Sequence, residues 1–120
     1  MSASLKAPYA NRSDQIAREL RRLSIPGRLR GFSYLTYMLD RVIPDQNQLY
    51  LVTKGLYPDT GRHFGVSAGS VERNVRTAIF NGWKRGGQAA LEEMACHPLA
   101  KPPTISEFLD IVASHIRHTN

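Results

Sequence analysis

The apolar residues of this 120-residue chain recur at steps of three and four positions almost from one end to the other. No stretch of five or more residues alternates cleanly between apolar and polar, as a half-buried strand does. This pattern predicts helices throughout and no sheet. Because 42% of the residues are hydrophobic, the chain can bury one ordinary core. We therefore expect an all-α fold, a compact bundle of about six helices, with a flexible lead over residues 1–12 and a single domain over residues 13–118.

Prolines and glycines divide the first part of the chain. Ser13 can cap a first helix, which Pro26 and Gly27 end. A second helix is predicted from about Arg28 to Ile43, because the next residue is a proline. Five aromatic residues are spaced like core and half-core positions, and not like a stacking platform for single-stranded nucleic acid. They are Tyr34, Tyr37, Tyr50, Tyr57 and Trp83.

Two capping boxes are predicted further along. Asp45 and Gln48 resemble one, for a short third helix that ends at Gly55. Thr104 and Glu107 form the Thr-x-x-Glu box of the last helix, directly after two prolines. Between these regions two consecutive glycines, at 86 and 87, interrupt the chain, and residues 88–94 are long enough for two helical turns.

Charge and cysteine content narrow the class of partner. The 16 Lys and Arg residues against 10 Asp and Glu give a formal net charge of +6, which favours an acidic partner such as nucleic acid. The single cysteine, Cys96, is expected as a small packing residue, and with His97 alone it makes no zinc site.

We expect a cytoplasmic chain with no metal and no cofactor. No window approaches 18 apolar residues and the start does not resemble a signal peptide, so no membrane partner and no export are expected.

The segment YPDTGRHFGVSAGSVERNVRTAIFNGW, from Tyr57 to Trp83, fits a helix-turn-helix. Pro58 suits the first turn of a short helix, and Gly65 can take the left-handed conformation that ends it. Ser67 or Ser70 can cap the helix that follows. We expect this second helix from about Ser70 to Trp83, with one core stripe at helical spacing; its members are Val71, Val75, Ala78, Ile79 and Trp83.

The opposite face of that helix carries side chains that can read base edges in a major groove. Arg73 can pair with O6 and N7 of guanine, and Glu72 can accept from the amine of cytosine. Arg76 can contact a base or a phosphate, and Ser70 completes the base-reading set. A second set is expected to contact the DNA backbone; it comprises Ser67, Arg62, His63, Thr77, Lys84 and Arg85.

Each of these residues also has an ordinary explanation. Glu72 and Arg76 can simply pair across one turn of a solvated helix face. A further group of arginines forms either a second phosphate-binding surface or a solvated basic face: Arg18, Arg21, Arg22, Arg28 and Arg30. We expect no enzyme, because no nucleophile–base pair, carboxylate couple, phosphate loop or metal cluster can be assembled from the spacing.

Over most of its length the sequence resembles a known family. LYPDTGRHFGVSAGSVERNVRTAIFNGWKRG is similar to the DNA-binding effector domain of the stage-zero sporulation protein A family. RELRRLSIPGRLRGFSYLTYML resembles that family's first two helices and KPPTISEFLDIVASHIR its closing segment, so the likeness runs from about Asp14 to Arg117. It implies a six-helix domain that binds promoter boxes of the TGTCGAA type as the output half of a response regulator switched by phosphorylation. In these 120 residues we find no β-α alternation of a receiver domain.

The resemblance implies a sequence-specific regulator of transcription on double-stranded DNA, associated with the nucleoid when bound. Val71 to Arg73 and Arg76 stand where the family has Val-Glu-Arg-x-x-Arg, whereas Ser70 replaces an arginine. The stretch from Gln88 to Ala100, which corresponds to the family's contact with the sigma subunit of RNA polymerase, is shorter and dissimilar. These departures leave an alternative open, a protein-interaction module of the same fold that binds RNA polymerase or another regulator and has only weak, non-specific DNA affinity. We expect a monomer in isolation, with a dimer on tandem boxes left open.

Overall fold

The structure, a computed structural model, describes residues 11–119. Over that range it contains six α-helices and no strand. In chain order they are α1 (Arg12–Arg22), α2 (Arg30–Val42), α3 (Tyr57–Phe64), α4 (Ala68–Gly82), α5 (Gln88–Ala95) and α6 (Ile105–Thr119). The all-α prediction with about six helices is confirmed. Residues 1–10, on which most of the predicted flexible lead falls, lie outside the described residues.

The start of α1 differs from the prediction. The N-cap is Asn11, whose Oδ1 accepts a hydrogen bond from the backbone N–H of Asp14 at 2.8 Å. The prediction of Ser13 as the cap was wrong because asparagine caps as well as serine does, and the sequence carries both within three residues. The inward stripe of this helix begins with Ile16 and Leu20, both fully buried.

The second helix starts two residues later than predicted. Leu29 is extended, with φ −77° and ψ 141°, so α2 begins at Arg30 and not at Arg28. Tyr34 on this helix is 4% exposed, and its ring packs against Phe64 of α3 with 5.0 Å between the centroids. The contact ties α2 to the C-terminal end of α3.

The connection from α2 to α3 is helical but irregular. A 3-10 helix, Gln46–Leu51, leads into a π-helical turn, Val52–Leu56, and then into α3 without a break. Gly55 lies inside the π-helical turn, so the predicted helix end at this glycine was wrong. Tyr50 was expected at a core or half-core position, yet it is 83% exposed because its short helix presents it outward.

Of the two predicted capping boxes, one forms. The backbone N–H of Thr104 donates to Oε1 of Glu107 at 2.8 Å, and the N–H of Glu107 donates to Oγ1 of Thr104 at 3.1 Å. Asp45 instead caps its helix by accepting from the N–H of Asn47 at 3.1 Å, while its own N–H bonds to a carbonyl of α2. Gln48 therefore has no free cap N–H to accept from, and the first box was predicted wrongly.

The core is one cluster to which all six helices contribute. α6 adds Phe108, Leu109 and Ile116, each 2% exposed or less, and the area that each removes from water stabilises the fold by about 1.5–3 kcal/mol. Cys96, by contrast, is exposed and takes the left-handed conformation that ends α5, with φ 64°, so its prediction as a packing residue was wrong. Over residues 11–119 no helix is both long and apolar enough to span a bilayer.

Candidate nucleic-acid interface

The turn between α3 and α4 spans residues 65–67 and is set by its small residues. Gly65 is left-handed, with φ 73° and ψ 33°, and ends α3 as predicted. A Cβ on Gly61 would lie 2.5 Å from the carbonyl oxygen of Val66, so the chain can fold back over α3 only at a glycine. Ser67 Oγ accepts from the N–H of Ser70 at 3.0 Å. Ser67 is therefore the cap, and α4 begins two residues before the predicted Ser70.

One face of α4 is seated firmly on the core. Close approaches at two glycines hold it there: a Cβ on Gly31 of α2 would meet the backbone oxygen of Asn74, and one on Gly82 would lie 2.6 Å from the backbone oxygen of Leu23. All of the predicted core stripe is buried or half-buried: Val71, Val75, Ala78, Ile79 and Trp83. The opposite face of α4 consequently points away from the protein.

That outward face carries the predicted base-reading residues. Arg73 and Arg76 are exposed, and Glu72 and Ser70 are half-buried. Nη2 of Arg76 donates to Oε2 of Glu72 at 2.7 Å, so these two residues bind each other. Arg73 has no ion pair or side-chain hydrogen bond with any residue in the range 11–119. Its guanidinium is thus available to a ligand.

Asn74 is a further residue on this part of α4, and the sequence pattern did not predict it. Its Nδ2 donates to the carbonyl oxygen of Ser70 at 2.8 Å and lies 3.3 Å from the hydroxyl of the same residue. Ser70 is therefore hydrogen-bonded to Asn74, one turn further along α4, as well as to the cap residue Ser67. The four-residue spacing from Ser70 is the signal that could have identified Asn74.

Two predicted backbone-contacting residues lie on α3, where a network joins this helix to α2. His63 stacks on the ring of Tyr37, with 4.3 Å between centroids and planes 23° apart. Nη2 of Arg41 donates to the hydroxyl of Tyr37 at 2.6 Å, and this hydroxyl donates to Oδ2 of Asp59 at 3.0 Å. The hydrogen bond that Arg41 donates to the Tyr37 hydroxyl raises the pKa of Arg41. Arg62, whose Nη2 lies 3.7 Å from Oδ1 of Asp59, remains largely exposed.

The remaining predicted contacts lie at the far end of α4 and just beyond it. Thr77, Lys84 and Arg85 are all exposed. Nζ of Lys84 lies 5.0 Å from the ring centroid of Phe80, a side chain that is 48% exposed on the outward face. The sequence signal for Phe80 was its position outside the core stripe, where an apolar ring is unusual.

A groove of about 600 Å³ continues the outward face toward the start of α6. Tyr57, Arg76 and Phe80 line one side of it, and residues 102–106 line the other. Burial and the charge of Glu72 raise the pKa of Tyr57, while Arg76 lowers it. The hydroxyl of Tyr57 therefore experiences the charges of the Glu72–Arg76 pair.

An all-helical domain that presents an unpaired arginine and a cluster of further cations on one outward helix face is typical of small DNA-binding domains. Residues 16–116 match the family model described as Sporulation initiation factor Spo0A C terminal. The chain belongs to this family, which comprises DNA-binding output domains of sporulation regulators and not catalytic domains. The resemblance inferred from the sequence is confirmed.

Proposed function

We propose that the chain is a sequence-specific regulator of transcription that binds double-stranded DNA, with α3 and α4 as its helix-turn-helix. The first two turns of α4 enter the major groove, as the second helix of such a motif does. The observation that carries this proposal is the outward face of α4, on which Arg73 is unpaired beside the Glu72–Arg76 pair. The opposite, buried face holds this helix rigidly enough to keep a fixed register in the groove.

Each base-reading residue has a role that its chemistry suggests. Arg73 pairs with O6 and N7 of a guanine, and Glu72 accepts from the amine of a cytosine. To contact a base or phosphate, Arg76 must either break its ion pair with Glu72 or keep that pair while it binds the DNA as well. An exposed pair of this kind is worth about 0.3–0.5 kcal/mol, whereas one good bidentate base contact is worth about 1–3 kcal/mol. The exchange is therefore favourable on DNA, and Ser70 borders the same bases.

A second group of residues contacts phosphate oxygens on either side of the groove. The hydroxyl hydrogen of Ser67 is still available for donation, because the cap hydrogen bond uses its oxygen as acceptor. The other members lie on α3, on α4 itself and just beyond its far end; they are Arg62, His63, Thr77, Lys84 and Arg85. Such contacts fix orientation and carry no base information.

The family resemblance supports promoter boxes of the TGTCGAA type as targets, bound in tandem by two copies of a domain that is monomeric alone. Because one copy presents only a few base-reading side chains, a second copy adds affinity through effective concentration. The site of action is the cytoplasm, at the nucleoid, and the controlling event is phosphorylation of a response regulator whose output half this chain provides.

One observation favours a second candidate, a protein-interaction module. Phe80 exposes an apolar ring on the outward face of α4, where a protein partner such as the sigma subunit of RNA polymerase can bury it. This alternative predicts weak DNA affinity that does not depend on base sequence, together with a co-purifying partner.

A binding titration against a box duplex and a scrambled duplex of equal length separates the two candidates. We expect clear discrimination by the native chain and a loss of about 1–3 kcal/mol at one base position in Arg73→Ala. Lys84→Ala is the matched control, since loss of a phosphate contact weakens both duplexes alike. Equal affinities for the two duplexes, or unchanged discrimination in Arg73→Ala, would rule out base reading.

A further inference from the structure

The connection between α1 and α2 lies against the side of α4. A Cβ on Gly82 would lie 2.6 Å from the carbonyl oxygen of Leu23 and 2.8 Å from Cγ1 of Ile25. A Cβ on Gly87, beyond α4, would meet the same carbonyl of Leu23, and one on Gly31 would meet the middle of α4. The connection is thus fixed beside the end of α4, and the first turn of α2 beside its middle.

The connection, together with the end of α1 and the first part of α2, is strongly basic and has no acid of its own. Residues 20–39 contain four arginines and neither aspartate nor glutamate. Arg22 is neutralised by Glu19 and Glu93, at 2.7 and 2.9 Å. The other three are exposed, and within the described range none has a carboxylate at salt-bridge distance: Arg21, Arg28 and Arg30. Cations without internal partners attract a polyanion most strongly.

Arginines from two elements line one cleft beside this connection. Arg21, from α1, and Arg85, from the turn after α4, line an open cleft of about 440 Å³. Its other walls are residues 24–27, so no acidic side chain borders it. The guanidinium of Arg21 lies 5.4 Å from the ring centroid of Phe32, a contact that holds it toward α2. A pair of planar donors with no counter-charge matches a phosphodiester oxygen pair.

We propose that Arg21 and Arg85 bind one backbone phosphate of duplex DNA, beside the groove that α4 enters. Arg28 and Arg30 continue the contact along the same strand. This inference rests on the proposed DNA-binding function and extends it, because it makes the connection between α1 and α2 a second backbone-binding element. The alternative of a solvated basic face does not account for the convergence of two elements on one acid-free cleft.

The test uses the full chain with Arg21→Gln and Arg85→Gln. Each variant should bind the box duplex and the scrambled duplex about two- to fivefold more weakly, the range of an exposed ion pair, with their ratio unchanged. The slope of log K against log salt should fall partway in each single variant and by about 0.9, the value for one phosphate contact, when both arginines are replaced. Arg12→Gln is the matched control, since it removes the same charge from the other end of α1, where Asp40 pairs with it at 3.5 Å. Thermal unfolding checks that every variant is folded.

A scan of the duplex with single neutral methylphosphonate linkages locates the phosphate. One linkage should weaken the native chain, weaken each single variant less, and leave the double variant Arg21→Gln/Arg85→Gln unaffected, because only the double variant lacks both partners of that phosphate. Unchanged affinity and slope in Arg21→Gln, or a loss equal to that of Arg12→Gln, would overturn the proposal. So would binding of inorganic phosphate to Arg21, seen in its side-chain NMR signals, without any effect of Arg21→Gln on DNA. This test is separate from the test of base reading. A native chain that binds both duplexes equally would disprove base reading, and the variants would still show whether the phosphate contact exists.

Discussion

Arg76 and Glu72 are bonded across one turn of α4, with 2.7 Å between Nη2 and Oε2. The pair fixes the two opposite charges at the centre of the outward face and beside the ring of Tyr57. The surface that we propose to read bases is therefore paired with itself, through Glu72 and Arg76, before any ligand binds.

Glu72→Gln should raise the affinity for a scrambled duplex and lower the ratio of box to scrambled affinity. Removal of the carboxylate deletes a negative charge near the phosphates and releases Arg76, while the amide no longer favours the cytosine amine as strongly. We expect the difference in binding free energy between the two duplexes to shrink by about 1 kcal/mol, measured by titration at a fixed salt concentration. Asp110→Asn on α6 changes the net charge equally and should leave the ratio as it is. An intact ratio in Glu72→Gln would exclude this residue from base reading.

Gly31→Ala should destabilise the protein because the added methyl group meets the backbone of Asn74 and lies 2.6 Å from Cβ of Ala78. We expect the free energy of unfolding to fall by about 1–3 kcal/mol, the usual cost of overpacking, in chemical denaturation. Gly27→Ala is the control, since nothing lies within 4 Å of a Cβ at that position, and it should stay within about 0.5 kcal/mol of the native protein. Equal effects of the two changes would contradict the close approach of α2 to α4.

Asn11→Ala and Ser13→Ala distinguish the observed cap of α1 from the predicted one. Loss of the Asn11 side chain leaves the N–H of Asp14 without its acceptor, so the free energy of unfolding should fall by about 1 kcal/mol. Ser13 lies within the first turn of α1, and its replacement should have an effect near zero. Thermal or chemical unfolding of both variants measures the difference, and a larger effect at Ser13 would restore the sequence-based prediction.

The features predicted correctly depend on local sequence. The end of α3 at Gly65 follows from the conformational freedom of glycine, and the buried stripe of α4 follows from its period. The capping box at Thr104 was equally local, since both partners lie within one turn. These elements needed no knowledge of distant neighbours.

The features that were missed depend on choices between equivalent groups or on tertiary contacts. Two good caps, Asn11 and Ser13, compete at the start of α1, and the pattern alone does not rank them. The network of Tyr37, Arg41 and Asp59 joins residues of two helices that are far apart in the chain. The convergence of Arg21 on a cleft shared with a residue after α4 likewise arises only in the folded chain.

Tyr57→Phe should leave stability near pH 7 almost unchanged and make the protein relatively more stable than the native chain above about pH 10. Tyr57 is 7% exposed, and burial followed by the charge of Glu72 raises its pKa above the ordinary value of 10.0. The unfolded chain then loses this proton at a lower pH than the folded chain, so the native protein loses stability as pH rises from about 10 toward the raised pKa. Phenylalanine has no such proton.

The measurement is the difference in unfolding free energy between the two proteins at each pH, which cancels the titration of the lysines common to both. A difference for Tyr57→Phe that stays flat with pH would contradict the burial of that hydroxyl beside the Glu72–Arg76 pair.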